Sequence, residues 1–453
     1  MRYNKIIELL YSRGFHSINL GLERIEKLMK KLGNPEKDLK VILIAGTNGK
    51  GSTAAMISSI LMESGFKVGL YTSPHLVRFT ERFRIFDKNS KNSAGFGSFS
   101  RGEEITKDKI EELFDKINIH LPKLDANGFA PTYFEIITAM AYLYFKEEGV
   151  DFAVVEVGMG GRLDATNIVN PMVSVITGIS LDHTEYLGKN IVDITYEKAG
   201  IIKENGYVVT AAEDEAYDVL SHICMKKQAT LLKATPTGLK LGLLGEFQKK
   251  NAGVAIKAVK TLKYFGVEIP KIALVNGLEK AIWAGRFEFL RAMNGRPTNV
   301  LVDCAHNVEG VECLVAELNL FMETDKSLGS KYMSEDINPN HNNPLNVNAV
   351  VRNFDKIHFV FGAMKDKDIK GMIKLIDVVA DSIILTKPHG ENDEMLERAE
   401  DPKNIAKLID DNTKVKIIEK PDLALKKAKQ IAGEDDLIVV CGSIFLIGDI
   451  LRN

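Results

Sequence analysis

A chain of 453 residues is longer than one ordinary domain and points to two large domains or three modest ones. Its 45% hydrophobic and 26% charged residues, with 36 Gly and 13 Pro, exclude a disordered, collagenous or disulfide-scaffold protein. The 59 Lys and Arg against 61 Asp and Glu leave a formal charge of −2, which gives no electrostatic footprint for nucleic acid or a membrane surface.

Four cysteines, Cys224, Cys304, Cys313 and Cys441, are scattered with no pair at zinc-ligand spacing, which fits a reduced compartment. Residues 1–10 lack the apolar core of a signal peptide. The most apolar stretch, 437–447, is well short of the ~20 residues needed to span a bilayer. A soluble, cytoplasmic protein is expected.

In chain order, β-branched runs at 41–45, 68–71, 152–157 and 173–177 alternate with helical patterns such as 53–64 and 135–146. That rhythm predicts βαβ units and an α/β fold with a mostly parallel sheet. A strand at 83–86 is followed by a Ser-, Gly- and Asn-rich surface loop over 87–103. Further strands at 300–303, 357–361, 383–386, 415–418 and 437–441, separated by helices such as 369–379 and 423–431, predict a second, smaller α/β sheet. The polar segment 294–299 is the expected join, giving domains 1–296 and 297–453. Residues 327–348 hold Pro339, Pro344 and six asparagines and are expected to be disordered.

The strongest local signal is Gly-Thr-Asn-Gly-Lys-Gly-Ser at 46–52, between the strand ending at Ala45 and a helix. Glycines let successive N–H groups converge in one concavity, and the helix start adds positive partial charge. Lys50 is placed to reach β/γ-phosphates and Ser52 a magnesium ion. Gly51 stands between that lysine and serine, so the usual G-x-x-x-x-G-K-[ST] pattern fails. The bland alternative is a ligand-free glycine turn; the lysine and the strand–loop–helix setting favour a nucleoside triphosphate.

Glu156 lies near the carboxyl end of a buried strand, where open α/β sheets gather ligands, and is a candidate magnesium ligand. An ion pair with Arg162 is the competing reading. His183, after the next strand in Ser-Leu-Asp-His-Thr at 180–184, is either a ligand or base, or a structural histidine. Spacing alone makes Lys198 an ordinary solvated helical lysine.

Taken together, ordered motifs make the chain resemble the folylpolyglutamate synthases and dihydrofolate synthases of the Mur ligase superfamily. They include GTNGKGS at 46–52, TSPHLVRFTER at 72–82, TYFE at 132–135, EVGMGGRLDATN at 156–167 and ISLDHTEYLG at 179–188. EKAGIIK at 197–203, FQKKNA at 247–252, WAGRFE at 283–288, DCAHN at 303–307 and CGSIFLIG at 441–448 complete the series. The family usually has another residue than Ala284, and Gly and Pro where this chain has Cys304 and Val308.

The resemblance implies a P-loop-type N-terminal domain and a smaller Rossmann-like C-terminal domain. It implies a nucleotide site at Thr47, Asn48, Gly49, Lys50, Gly51, Ser52, Asn251, Arg286, Asp303 and His306. Magnesium, as two ions, would be held by Ser73, Glu156, His183 and a Lys198 carbamylated by CO2, with Lys50, Lys198 and His183 as the catalytic set. Thr132, Tyr133, Phe134 and Glu135, with Leu163, Asp164 and Ala165, correspond to pterin- or folate-contacting segments. The implied reaction uses ATP to join L-glutamate to dihydropteroate, to folate polyglutamates, or to both, through an acyl phosphate. The implied partners are small molecules, with neither nucleic acid nor membrane, and the implied state is a monomer. Another Mur-type amino-acid ligase and an acceptor-independent nucleotide switch are the competing readings.

Overall fold

The computed structural model describes residues 2–14, 19–89, 102–292, 297–323, 354–390 and 393–452. They fall into two compact units: Met1–Leu241 with Gln248–Ile282, and Gly242–Phe247 with Trp283–Asn453. The 327–348 segment lies outside the described residues, as does most of the 87–103 loop.

At the centre of the first unit is β1 (Val41–Ala45), whose five residues are all buried. A strand covered on both faces needs no polar alternation, which is why this one reads as a continuous apolar run. It pairs in parallel with β5 (Phe152–Glu156) on one side and β6 (Val173–Ile176) on the other. The register sets Ile44 opposite Glu156 and Ala45 opposite Ile176, so three strands end side by side. Beyond β5 lies the parallel β2 (Val68–Tyr71), then antiparallel β3 (Phe83–Phe86) and β4 (Glu103–Glu104).

On the other flank, β7 (Tyr207–Thr210) and β8 (Thr230–Lys233) complete eight strands. Neither is among the sequence-expected strands; each has only four residues, and β8 has no buried position. The helix Lys50–Glu63, which follows β1, packs closely on Lys271–Glu279. A Cβ on Gly277 would stand 2.5 Å from the Ile60 Cα, and Ser59 Oγ donates to the Gly277 carbonyl at 2.7 Å.

The second unit holds six strands: β9 (Glu288–Arg291), β10 (Pro297–Val302), β11 (Ile357–Phe361), β12 (Ser382–Leu385), β13 (Val415–Ile417) and β14 (Leu437–Cys441). Their order is β13-β12-β11-β14-β10-β9, parallel except for β9. The join expected at 294–299 therefore needs correction. β9 precedes it yet pairs with β10, Phe289 opposite Leu301, so the division falls between Ile282 and Trp283. The ladder satisfies the outer edge of β10, and that non-local gain is invisible to composition. At the amino ends of these strands, buried His358 lies 2.8 Å from Ser382 Oγ and 3.1 Å from Asp436 Oδ2, tying three neighbouring segments together. Among the described residues, no helix is long and apolar enough to cross a membrane.

Candidate active site

The phosphate loop leaves β1 at Ala45 and re-enters regular structure at Lys50, the first residue of its helix. Gly46 has φ +145° and Gly49 φ +83°, conformations that side chains resist. Space forbids them too: a Cβ on Gly46 would stand 1.8 Å from Thr177 Oγ1, and one on Gly49 2.2 Å from Asn251 Oδ1. Lys50 Nζ curls over the loop to the carbonyls of Gly46 (3.2 Å) and Thr47 (3.0 Å). Ser52 is buried and its Oγ accepts from Gln248 Nε2 at 3.3 Å; Gln248 Oε1 in turn accepts from Asn251 Nδ2 at 2.9 Å. Asn251 is thus brought to the loop through Gln248, a residue for which the sequence carried no separate signal. A glycine cradle, a helix start and a lysine together have the chemistry that suits a polyphosphate.

Glu156 closes β5 and is 6% exposed; its Oε2 accepts the Ser73 amide at 3.3 Å, so these two candidate ligands adjoin. Arg162, the alternative ion-pair partner, instead meets Glu197 at 2.9 Å. His183 sits at φ +50°, an uncommon backbone for a non-glycine residue, and its amide donates to Asp182 Oδ1 at 2.9 Å. Lys198 is not a solvated lysine. It is 4% exposed, and its Nζ donates to the Gly46 carbonyl at 2.8 Å, at the root of the phosphate loop.

Among the described residues, no group of three or more His, Cys, Asp and Glu could hold a metal ion. The candidate set contains only two such residues, Glu156 and His183, so it depends on the Ser73 hydroxyl and on oxygen added at Lys198. A hydroxyl and a carboxylate are the kinds of oxygen donor that suit a hard divalent cation, and a carbamate would supply the missing oxygens.

The loop carrying Ser73 is held from behind. Buried Glu81 accepts the amides of Leu76 and Arg78, both at 2.9 Å, and burial pushes its carboxyl above the usual range. Arg82 Nε donates to His75 Nδ1 at 2.8 Å, so that imidazole nitrogen carries no proton.

The pterin-type segments divide by role. Thr132 caps the helix Tyr133–Glu147; its Oγ1 accepts the Glu135 amide at 3.3 Å, and Glu135 Oε2 accepts the Thr132 amide at 2.7 Å. Glu135, only 3% exposed, also pairs with Arg24 at 2.9 Å. Asp164 is buried and accepts from Met159 N (2.9 Å), Thr166 N (3.0 Å) and Thr166 Oγ1 (2.6 Å); burial raises its pKa. These two carboxylates brace backbone. Tyr133 and Ala165 are buried, whereas Phe134 and Leu163 stay partly exposed. The Phe134 ring packs on Gly158, where a Cβ would stand 2.5 Å from Phe134 Cζ, offering a flat apolar face.

Three candidates belong to the second unit. Asp303 follows β10 with Oδ2 accepting the Phe287 amide and Oδ1 the Ala305 amide, both at 2.7 Å. Burial raises its pKa, against the pull of the Arg286 charge. Phe287 has φ +47°, and Glu288 Oε2 accepts the Gly285 amide at 2.7 Å, so the 285–288 turn that presents Arg286 is firmly held. His306 Nδ1 donates to the Cys304 carbonyl at 2.8 Å.

Comparison with known proteins bears on the family and the fold. Residues 105–238 match the Mur ligase middle domain and residues 340–444 the Mur ligase, glutamate ligase domain. A dihydrofolate synthase/folylpolyglutamate synthase of Bacillus subtilis (strain 168) is 32% identical, covering 98% of this chain and 97% of the relative. The structure of E. coli FolC in complex with DHPP and ADP is 27% identical with a TM-score of 0.78, covering 99% of this chain and 97% of that one. A bifunctional folylpolyglutamate synthase/dihydrofolate synthase from Yersinia pestis, complexed with AMPPNP and Mn ion, is 26% identical at a TM-score of 0.78, with the same 99% and 97% coverage. Both folded units follow the sheet architecture expected from the sequence, and the chain belongs to the dihydrofolate synthase/folylpolyglutamate synthase family of Mur ligases.

Proposed function

We propose that the chain is an ATP-dependent amide ligase that joins L-glutamate to dihydropteroate, to folate polyglutamates, or to both. The observation that carries this reading is the grouping of Lys50, Lys198 and the glycine loop at the end of β1, beside Glu156 and Ser73 at the next strand ends. Relatives whose names give both activities, and a relative holding ADP and DHPP, support the choice of reaction.

A carboxylate is a poor electrophile, so its oxygen first attacks the γ-phosphorus of ATP, the bond to the ADP oxygen breaks, and an acyl phosphate forms. The neutral amine of L-glutamate then attacks the acyl carbon, phosphate leaves, the nitrogen loses a proton, and an amide results. Loop amides and Lys50 stabilise charge on the transferred group. Magnesium, when bound, supplies charge screening on the β/γ-phosphates. Ser73, Glu156, His183 and carbamylated Lys198 are the residues that would hold it. Phe134 and Leu163 give the acceptor ring an apolar surface, while Asp164 and Glu135 keep those segments in place. Arg286, on its braced turn, and His306 are the second unit's candidates for nucleotide contact, as Asn251 is the first unit's.

Product mass analysis with magnesium ATP and L-glutamate, plus either dihydropteroate or a reduced folate monoglutamate, tests the reading. A mass gain of one glutamyl unit on both acceptors is expected. Gain on one acceptor narrows the chain to that activity, and gain on neither overturns the substrate assignment.

A further inference from the structure

The pairing of β1 with β6 continues past the last residues of both strands, first through the backbone and then through side chains. The Thr47 amide donates to the Gly178 carbonyl at 2.8 Å, and the Thr177 amide to the Ala45 carbonyl at 3.0 Å. Thr177 Oγ1 donates to the Asn48 carbonyl at 2.7 Å. Thr47 Oγ1 accepts the Ser180 amide at 3.0 Å and lies 3.1 Å from the Ser180 carbonyl, to which it donates. Thr177 is fully buried and Thr47 is 6% exposed, so water does not compete for these bonds. Three residues beyond Ser180 stands His183 in its left-handed backbone conformation, which persists only when its surroundings hold it.

We propose that Thr177 and Thr47 are positioning residues whose hydroxyls lock the phosphate loop to the segment presenting His183, so that both are set together when nucleotide binds. The inference rests on reading that loop as a triphosphate site. It assigns Thr47 a strut's work, since its hydroxyl is committed to the Ser180 backbone. It also gives Gly46 a second reason to lack a side chain, because any Cβ there would displace the Thr177 hydroxyl.

Thr177→Val keeps the shape and removes the hydroxyl, whereas Thr177→Ser keeps the hydroxyl. Calorimetric titration with magnesium AMPPNP should show affinity roughly tenfold weaker for Thr177→Val and within about threefold of the parent for Thr177→Ser. The KM for ATP should rise in parallel in Thr177→Val while the KM for glutamate stays put. Parental AMPPNP affinity in Thr177→Val, or a Thr177→Ser as weak as the valine variant, would overturn the proposal. If Thr177→Val does not fold, Thr47→Val removes the facing hydroxyl, Thr47→Ser keeps one, and the pair is read by the same titration with the same two outcomes. Because the titration needs no acceptor, it stays readable even if the parent chain glutamylates neither substrate.

Discussion

The carboxyl ends of β1 and β10 solve the same problem in opposite ways. After β1 the proposed binding surface is the backbone itself, and side chains from elsewhere brace it: Thr177 on Asn48, Lys198 on Gly46, and Asn251 against Gly49. After β10 the bracing comes from the strand's own Asp303, whose two oxygens hold the amides of Phe287 and Ala305, and a side chain, Arg286, is what the turn presents. One is a backbone cradle steadied from outside, the other a cation displayed on a turn steadied from within. The difference teaches that a residue matched by motif can be a brace. Thr47, Glu135, Asp164 and Asp303 all hold amides of neighbouring segments.

The sharpest way to break this comparison is Lys198→Ala. Lys198 holds the loop through the Gly46 carbonyl and is the proposed carbamate ligand, so ligation should fall about a thousandfold or more while the melting temperature changes little. Unchanged turnover would remove Lys198 from the cradle. Asp303→Asn is expected next. The carboxamide turns an NH2 toward an amide donor, so urea unfolding should show about 2 kcal/mol less stability together with weaker ATP binding. Arg286→Ala should weaken ATP binding by a similar amount with stability nearly unchanged. Equal stability losses in the two variants would erase the distinction between brace and displayed cation.

The smallest effect concerns Glu104, which accepts from Arg78 Nη2 at 2.7 Å and Thr80 Oγ1 at 2.5 Å, beyond the Ser73 loop. Burial pushes its pKa up, but these hydrogen bonds and the Arg84 charge outweigh burial and leave it lowered. A pKa depressed by folding contributes stability above the unfolded value of about 4.3, lost as pH falls through the folded value. The urea midpoint should therefore drop below about pH 4, and Glu104→Gln should flatten that acid limb by on the order of 1 kcal/mol.

Strands 41–45, 152–156 and 173–176 were legible to within a residue because burial on both faces leaves an unbroken apolar signature. β9 was not, since Glu288–Arg291 is half polar and becomes a strand only by pairing with β10. In the site, the glycine loop and Glu156 stood out because their residue types are costly without a ligand. Lys198 did not, because its burial comes from contact with a carbonyl 152 positions away. Gln248 carried no signal apart from the motif that contains it, and Thr177 none beyond its place in the chain. A hydroxyl directly after the strand beside the phosphate-loop strand was the one available hint.

The most direct test of the account follows oxygen. With the acceptor carboxylate labelled with 18O, the inorganic phosphate released during glutamate addition should carry one labelled oxygen, because an acyl phosphate passes that atom from carboxylate to phosphorus. Phosphate free of label, in a reaction that still forms the amide, would contradict carboxylate activation by ATP and with it the role assigned to the loop after β1.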